Sequence, residues 1–102
     1  MPTSQQAVKR MTFEIHMAKS QGLKALKLIH GYGSSGAGGR IRVESRKYLD
    51  TLARRGVIRF YVPGERWSIF DADAREALAL CPALRSDSDL ERHNNGVSFV
   101  LL

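Results

Sequence analysis

Cysteine is almost absent from the sequence, since Cys81 is the only one in 102 residues. One cysteine cannot form an internal disulfide, which predicts a reducing compartment such as the cytoplasm. Long apolar runs are absent as well, and none approaches the ~20 residues that span a membrane. The first residues, Met-Pro-Thr-Ser-Gln-Gln, lack the pattern of a signal peptide. We therefore expect a cytoplasmic globular domain with no membrane partner.

Potential metal ligands are few and scattered. The three histidines, His16, His30 and His93, stand far from one another and from Cys81. No spacing among them is typical of a zinc site, and no Ser-His-Asp arrangement can be argued. The sequence therefore predicts no metal site built from histidine and cysteine.

Acidic residues are scarce in one part of the chain. Residues 23–60 hold nine basic residues against Glu44 and Asp50, whereas residues 61–102 hold four basic and seven acidic ones. The whole chain has a net charge of +6 and a pI near 10.0. A concentrated positive charge favours a polyanionic partner, DNA or RNA. The alternative is an ordinary solvated helix face.

The order of predicted elements is helix, strand, helix, strand, an insertion and a last strand. Thr3 and Gln6 have the spacing of a capping box, and Gly22 and Gly56 are helix stops. Apolar spacing predicts helices over 4–21 and 41–55, a central strand over 23–29 and further strands over 57–62 and 97–102. The chain length suits one domain.

The insertion, about 65–93, is the part of the sequence with the weakest pattern. Asp71 is a candidate N-cap for a short helix over 72–80, which Pro82 would end. Trp67 and Phe70 are predicted to fix this segment to the core.

A glycine-rich stretch, 31–39, separates the first predicted strand from the second helix and holds five of the nine glycines. Glycine allows positive φ and a close approach of ligand to backbone. The N-terminus of the helix that follows presents free N–H groups and a positive dipole end, which suits phosphate. Two well-known phosphate loops fit poorly. Asp50 lies inside a helix, not at the end of a second strand as in dinucleotide-binding folds, and Gly39-Arg40 replaces the Lys-Ser/Thr of a Walker loop.

The motif His30-Gly31-Tyr32-Gly33, with Gly38-Gly39 and Ile41-Arg42 after it, resembles that of the Smr (small MutS-related) domain family. The ending from Asn95 to Leu102 resembles the family's last glycine and apolar strand. The resemblance covers residues 3–63 and 94–102. It implies a two-layer α/β sandwich with a mixed, four-stranded sheet, similar to the C-terminal domain of translation initiation factor three. It also implies DNA or RNA binding and, in some members, metal-assisted nicking endonuclease activity, for which Mg²⁺ or Mn²⁺ would be the cofactor.

One departure from the family concerns its first strand, which carries a Leu-Asp-Leu-His-Gly-type motif. That strand has no counterpart before Thr3. The alternatives are a truncated or misassigned start and a degenerate member that binds without cleaving. Either way a sheet edge is left bare, and a bare edge predicts pairing with another chain, including a second copy.

His30 is the candidate catalytic residue, because an imidazole beside a phosphate loop can act as general acid or base. The alternative is a structural histidine that holds the loop through a backbone hydrogen bond. The predicted phosphate contacts, with Lys24 adding charge, are Gly31, Tyr32, Gly33, Ser34, Ser35, Gly36, Gly38, Gly39, Arg40, Arg42, Arg46 and Lys47. Two other functions stay open. One is binding of a small phosphorylated ligand at the same loop, and the other is a protein-interaction module.

Overall fold

The computed structural model describes residues 3–31 and 36–102, with the backbone alone for 36–38. Three helices and three strands follow one another: α1 (Ser4–Ser20), β1 (Ala25–Ile29), α2 (Gly36–Arg54), β2 (Phe60–Pro63), α3 (Ala72–Leu80) and β3 (Val97–Leu101). Short 3-10 helices cover Gly64–Arg66 and Pro82–Ser86. In these described ranges no helix is both long enough and apolar enough to cross a bilayer.

The first helix has the ends that the sequence predicts. The Thr3 hydroxyl accepts from the Gln6 backbone N–H, and the Gln6 side chain accepts from the Thr3 backbone N–H. This capping box satisfies donors that have no partner within the helix. At the other end Gly22 has φ +73°, a conformation that glycine adopts without strain. The prediction of a helix over 4–21 is therefore confirmed to within one residue.

The sheet has three strands in the order β1-β3-β2, and both pairings are antiparallel. The predicted mixed sheet is wrong, and so is the central position of the first strand. The central strand is β3, in which all five residues are buried. A short apolar run shows that a strand is buried but does not show which strands lie beside it, so the sequence could not decide the order.

The second strand begins at Phe60, three residues later than predicted. The backbone N–H groups of Val57 and Ile58 both donate to Leu52 O, at 2.9 and 3.5 Å. These residues therefore close the end of α2, although their β-branched side chains favour a strand.

Both faces of the sheet are covered. On one face α1 and α2 enclose the buried residues Met11, Ile15, Leu28, Leu49, Leu52, Ile58 and Val100. On the other face α3 and its flanking turns enclose Val62, Trp67, Ala74, Ala77, Leu78, Val97, Phe99 and Leu101. Val97, Phe99 and Leu101 face one side of the sheet and Val100 faces the other, because successive side chains of a strand point to opposite faces.

The 65–93 segment is part of the second core. Trp67 is fully buried and stacks on Phe99 with ring centroids 3.9 Å apart. Its predicted role is confirmed, whereas that of Phe70 is wrong, because the Phe70 side chain is 83% exposed. The Asp71 side chain accepts from Ala74 N at 3.0 Å, which confirms the predicted N-cap of α3.

The second helix begins at Gly36, five residues before its predicted start, so part of the glycine-rich stretch is helical. Glycine is a poor helix former, and for this reason the sequence favoured a later start. Helical spacing predicts Ile41, Ser45, Tyr48, Leu49 and Leu52 on the core side of α2, and these residues are buried apart from Tyr48, which is half-buried.

The two long helices lie side by side and run in the same direction. Thr12 Oγ1 and Tyr48 OH are 2.6 Å apart, and Lys19 Nζ donates to Val57 O at 2.8 Å. The later contact on α1 is also the later contact along the chain that forms α2, and this order requires the two helices to be parallel. The outer faces of α1 and α2 therefore form one continuous surface.

Candidate functional site

The His30-Gly31 motif lies at the carboxyl end of β1. The backbone N–H groups of both residues donate to Gly96 O, each at 3.0 Å, so the motif is fixed to the start of β3. Gly31 has φ +81°, which only glycine adopts readily. Glycine is thus favoured at the point where the predicted phosphate loop begins.

Both ring nitrogens of His30 have partners within the protein. Nδ1 lies 2.8 Å from Gly31 O, and a carbonyl oxygen can only accept, so Nδ1 carries the proton. In the neutral ring Nε2 is then the acceptor for the Ser98 hydroxyl, 3.0 Å away. Ser98 Oγ in turn accepts from Arg46 Nε at 3.1 Å. These bonds form a directed chain from Arg46 through Ser98 to His30.

The surroundings of His30 favour its neutral form. Burial lowers its pKa below the usual value, and the positive charges of Arg46 and Arg42 lower it further, against the opposing hydrogen bond to Gly31 O. A cationic imidazole is therefore disfavoured. To exchange a proton with a substrate, the ring would have to break its bond to Ser98 or to Gly31.

Arg46 is held inside the protein instead of facing solvent. Its guanidinium makes two parallel bonds to the Glu65 carboxylate, at 2.8 and 2.9 Å. It also donates to Asn95 O and Val97 O, at 3.1 and 3.2 Å. The side chain is only 16% exposed. In this arrangement Arg46 connects α2 to the turn after β2 and to β3, and each of its three guanidinium nitrogens donates to a group of the protein.

Glu65 is the partner that makes this position of Arg46 favourable. Burial alone would raise the pKa of the Glu65 carboxyl, but the hydrogen bond and charge of Arg46 outweigh it and lower the pKa. The carboxylate therefore stays ionised, and the bidentate pair is of the stronger kind.

The structure distributes the other predicted phosphate contacts unevenly. Tyr32, Gly33, Ser34 and Ser35 lie outside the described residues. Gly36, Gly38 and Gly39 lie in the first turn of α2. Lys24 precedes β1 whereas His30 follows it, so these two residues lie at opposite ends of the strand.

Three exposed cations lie on the outer face of α2, namely Arg40, Lys47 and Arg54. They are seven residues apart, so they form a line along the helix with ~10 Å between neighbours. Arg42 is half-buried on the side of the helix that faces His30. The basic residues of α2 thus divide into an outer line, which solvent reaches, and an inner pair near the His30 motif.

Ser98 bonds His30 directly and Glu65 holds Arg46, and neither residue was predicted from the sequence. Ser98 is fully buried within the apolar run of β3. A polar residue inside such a run needs a hydrogen-bond partner, which is a signal that could have indicated its role. Glu65 has no comparable local signal, because it is 19 residues from Arg46.

Within residues 3–31 and 36–102, no group of three or more histidine, cysteine, aspartate or glutamate side chains is placed to hold a metal ion.

Comparisons with models of protein families, with curated protein sequences and with solved structures gave no match to this chain. The chain combines helices with an antiparallel sheet, and its fold is therefore of the mixed α/β class.

Proposed function

We propose that this chain is a nucleic-acid-binding domain that contacts the phosphate backbone through α2. The observation that carries the proposal is the exposed line of Arg40, Lys47 and Arg54 on a chain with net charge +6. Lysine and arginine at regular spacing on one helix face form the electrostatic footprint expected of such proteins. Contacts of this kind orient the protein on a nucleic acid but do not read its sequence.

The Smr-like architecture is part of the same proposal. The described elements begin with a helix, a strand, a helix and a strand, which is the order that the resemblance implies after the family's first strand, and His30-Gly31 follows β1. In this interpretation α1, α2 and the sheet correspond to the two-layer sandwich, and the 65–93 segment is an addition that covers the second face. The glycine-rich stretch, which runs into the first turn of α2, would add backbone N–H donors for phosphate.

For His30 the observed hydrogen bonds favour the structural alternative. A ring with both nitrogens occupied holds the motif to Ser98 and Gly31 and is not free to exchange a proton with a substrate. We therefore propose binding without cleavage. Nuclease activity remains the rival, and His30 is the residue on which it would depend.

The test is binding of fluorescently labelled structured RNA and branched DNA across a salt series, with and without Mg²⁺ or Mn²⁺. We expect log K to fall linearly with log salt, because each phosphate contact releases counterions. Lys47→Ala and Arg54→Ala should each reduce the salt slope by about 1. Arg85→Ala is the matched control, since Arg85 is an exposed cation on the acidic part of the chain.

Three outcomes would separate the alternatives. Absence of binding at low salt, or binding that the two α2 variants leave unchanged, would overturn the proposal. Metal-dependent nicking would show that the domain is a nuclease. Saturable binding of a small phosphorylated compound with little salt dependence would favour the phospho-ligand alternative.

A protein-interaction module is the second candidate, and the edges of the sheet favour it. Among the described residues β1 and β2 each pair only with β3, so both are edge strands. Ile29 on β1 is 79% exposed. An edge with an exposed apolar residue can pair with a strand of another chain. Concentration-dependent oligomers that retain no nucleic acid would support this candidate.

A further inference from the structure

We propose that α1 carries a base-stacking site at Phe13, so that the domain prefers unpaired nucleic acid to a duplex. This inference rests on the proposed function and specifies its substrate class. It concerns a side chain on α1, the helix that lies beside the line of Arg40, Lys47 and Arg54.

The first observation is the exposure of an aromatic ring on a helix that otherwise separates apolar from polar residues. Met11, Ile15 and Ala18 bury one face of α1. Phe13 and Met17 lie on the opposite face, one helical turn apart, and are 64% and 43% exposed. A phenylalanine in that position lies outside both cores, and packing within the described part of the chain does not account for it.

The second observation is the charge around Phe13. Lys9 and Arg10 are both exposed on the same outer half of α1. Glu14 is the acidic residue nearest in sequence, and it pairs with Arg10 at 3.2 Å. With Arg10 paired to Glu14, Lys9 leaves the border of Phe13 with a net positive charge, which favours a polyanionic partner.

The third observation is the position of Phe13 relative to α2. Thr12 contacts Tyr48, so the residues next to them, Phe13 and Lys47, are at the same level of two parallel helices. Packed helices have axes 8–10 Å apart in general. A chain whose phosphates follow Arg40, Lys47 and Arg54 would therefore place its bases near Phe13.

The chemistry of stacking selects the substrate. An exposed ring gains ~1–3 kcal/mol by stacking on an unpaired base, and every base offers a π-face for it. In a duplex the faces of the bases are already stacked on one another, so Phe13 has no partner there. The phosphate contacts are common to both forms, and discrimination between them comes from Phe13 with Met17 beside it.

The experiment compares Phe13→Ala with the parent protein by fluorescence anisotropy. The probes are a single-stranded DNA of about 15 nucleotides and a duplex of the same sequence at equal salt. We expect Phe13→Ala to weaken single-strand binding by about 5- to 150-fold, with duplex binding and the salt slope unchanged. Phe13→Trp should retain the preference for the single strand.

Phe70→Ala is the matched control, because Phe70 is also exposed but belongs to the segment on the opposite face of the sheet. It should change neither affinity. Equal weakening of both probes by Phe13→Ala, no weakening, or parent binding to the duplex as tight as to the single strand would overturn the stacking site while leaving the proposed function standing. Failure of both probes to bind would overturn the proposed function as well.

Discussion

At the scale of single residues, the side chain of His30 shows how the same atoms that suggest catalysis can serve structure. Its two ring nitrogens join the end of β1 to the neighbouring loop and to the buried Ser98 of β3. Ser98 is in turn held by Arg46. A histidine in this position organises the start of the glycine-rich stretch whether or not it ever contacts a substrate.

The lowered pKa of His30 predicts a pH dependence of stability. The unfolded chain binds a proton near the ordinary value of 6.5, and the folded chain only at lower pH. As the pH falls through this window, the unfolded state holds more protons and the free energy of unfolding decreases. We expect the melting temperature to fall between about pH 7 and pH 5, and His30→Gln to reduce that fall.

Thermal melts followed by circular dichroism measure this effect, with His16→Gln as the control because His16 is exposed on α1. The window lies above the ordinary pKa of glutamate, 4.5, so that the Glu65 carboxyl adds little to it. Equal pH profiles for the parent and His30→Gln would show that this histidine does not contribute.

Gly64 illustrates a different constraint at the same scale. A Cβ at this position would meet Asn94 O and would lie 2.6 Å from Val97 Cγ2. The backbone turn after β2 therefore packs directly against the chain that leads into β3. We expect Gly64→Ala to lower the free energy of unfolding by about 3 kcal/mol, the upper part of the range for overpacking.

Urea denaturation gives this value, and Gly56→Ala is the comparison. Gly56 has φ +75° and open space around its Cα, so its variant reports the conformational cost alone, about 1–2 kcal/mol. A Gly64 variant no less stable than the Gly56 variant would contradict the close approach.

At the scale of elements, α2 has two sides with different roles. Arg46 faces inward and is bound to Glu65, whereas Arg40, Lys47 and Arg54 face outward. A sequence shows only that the helix is basic. The contacts show which of these side chains solvent reaches, and this separates the exposed line of Arg40, Lys47 and Arg54 from the internal bridge of Arg46.

Another contact between elements joins the 65–93 segment to β1. Lys27 Nζ lies 3.1 Å from Asp87 Oδ2, pairs with Asp89, and lies 5.6 Å from the centroid of the Phe99 ring. All three charged side chains are at most one quarter exposed. Burial alone would lower the pKa of Lys27, but its two carboxylate partners outweigh it and raise the pKa.

Replacement of Lys27 by a neutral residue should make the 65–93 segment easier to detach from β1. Lys27→Met leaves two carboxylates without their partner, and we expect a loss of about 1–3 kcal/mol in the free energy of unfolding. Hydrogen exchange of the 82–90 amides should increase before exchange in α1. The control is Lys24→Met, which replaces an exposed lysine just before the same strand. Equal exchange in the two variants would mean that Lys27 does not hold the segment.

At the scale of the whole molecule, the central strand connects two cores. Val100 belongs to the core under α1 and α2, and Phe99 to the core under α3. Because neighbouring residues of one strand serve both faces, neither core can form without β3. The two sides of the sheet should therefore unfold together.

The single tryptophan makes this measurable. Trp67 reports on the second core through its fluorescence, and helix content, followed by far-UV circular dichroism, is dominated by α1 and α2. We expect coincident urea transitions from the two signals, the criterion for two-state unfolding. An earlier fluorescence transition would show that the 65–93 segment unfolds separately.

Several features of this fold were predictable because they depend on residues close in sequence. The caps at Thr3 and Asp71 and the turn at Gly22 need only the neighbouring few residues. The buried side of α2 follows from helical spacing in the same way. These predictions were confirmed, whereas the start of α2 was missed because its glycines disfavour a helix in isolation.

By itself, then, the sequence determined the local elements, their order and the concentration of positive charge around α2. The tertiary structure alone decided that β3 is central, that Arg46 turns inward and that both nitrogens of His30 are occupied. The partners in these contacts are far apart along the chain, as with His30 and Ser98, which are 68 residues apart. Local propensities contain no information about which distant residues are in contact, because those contacts depend on how the two cores pack around one shared strand.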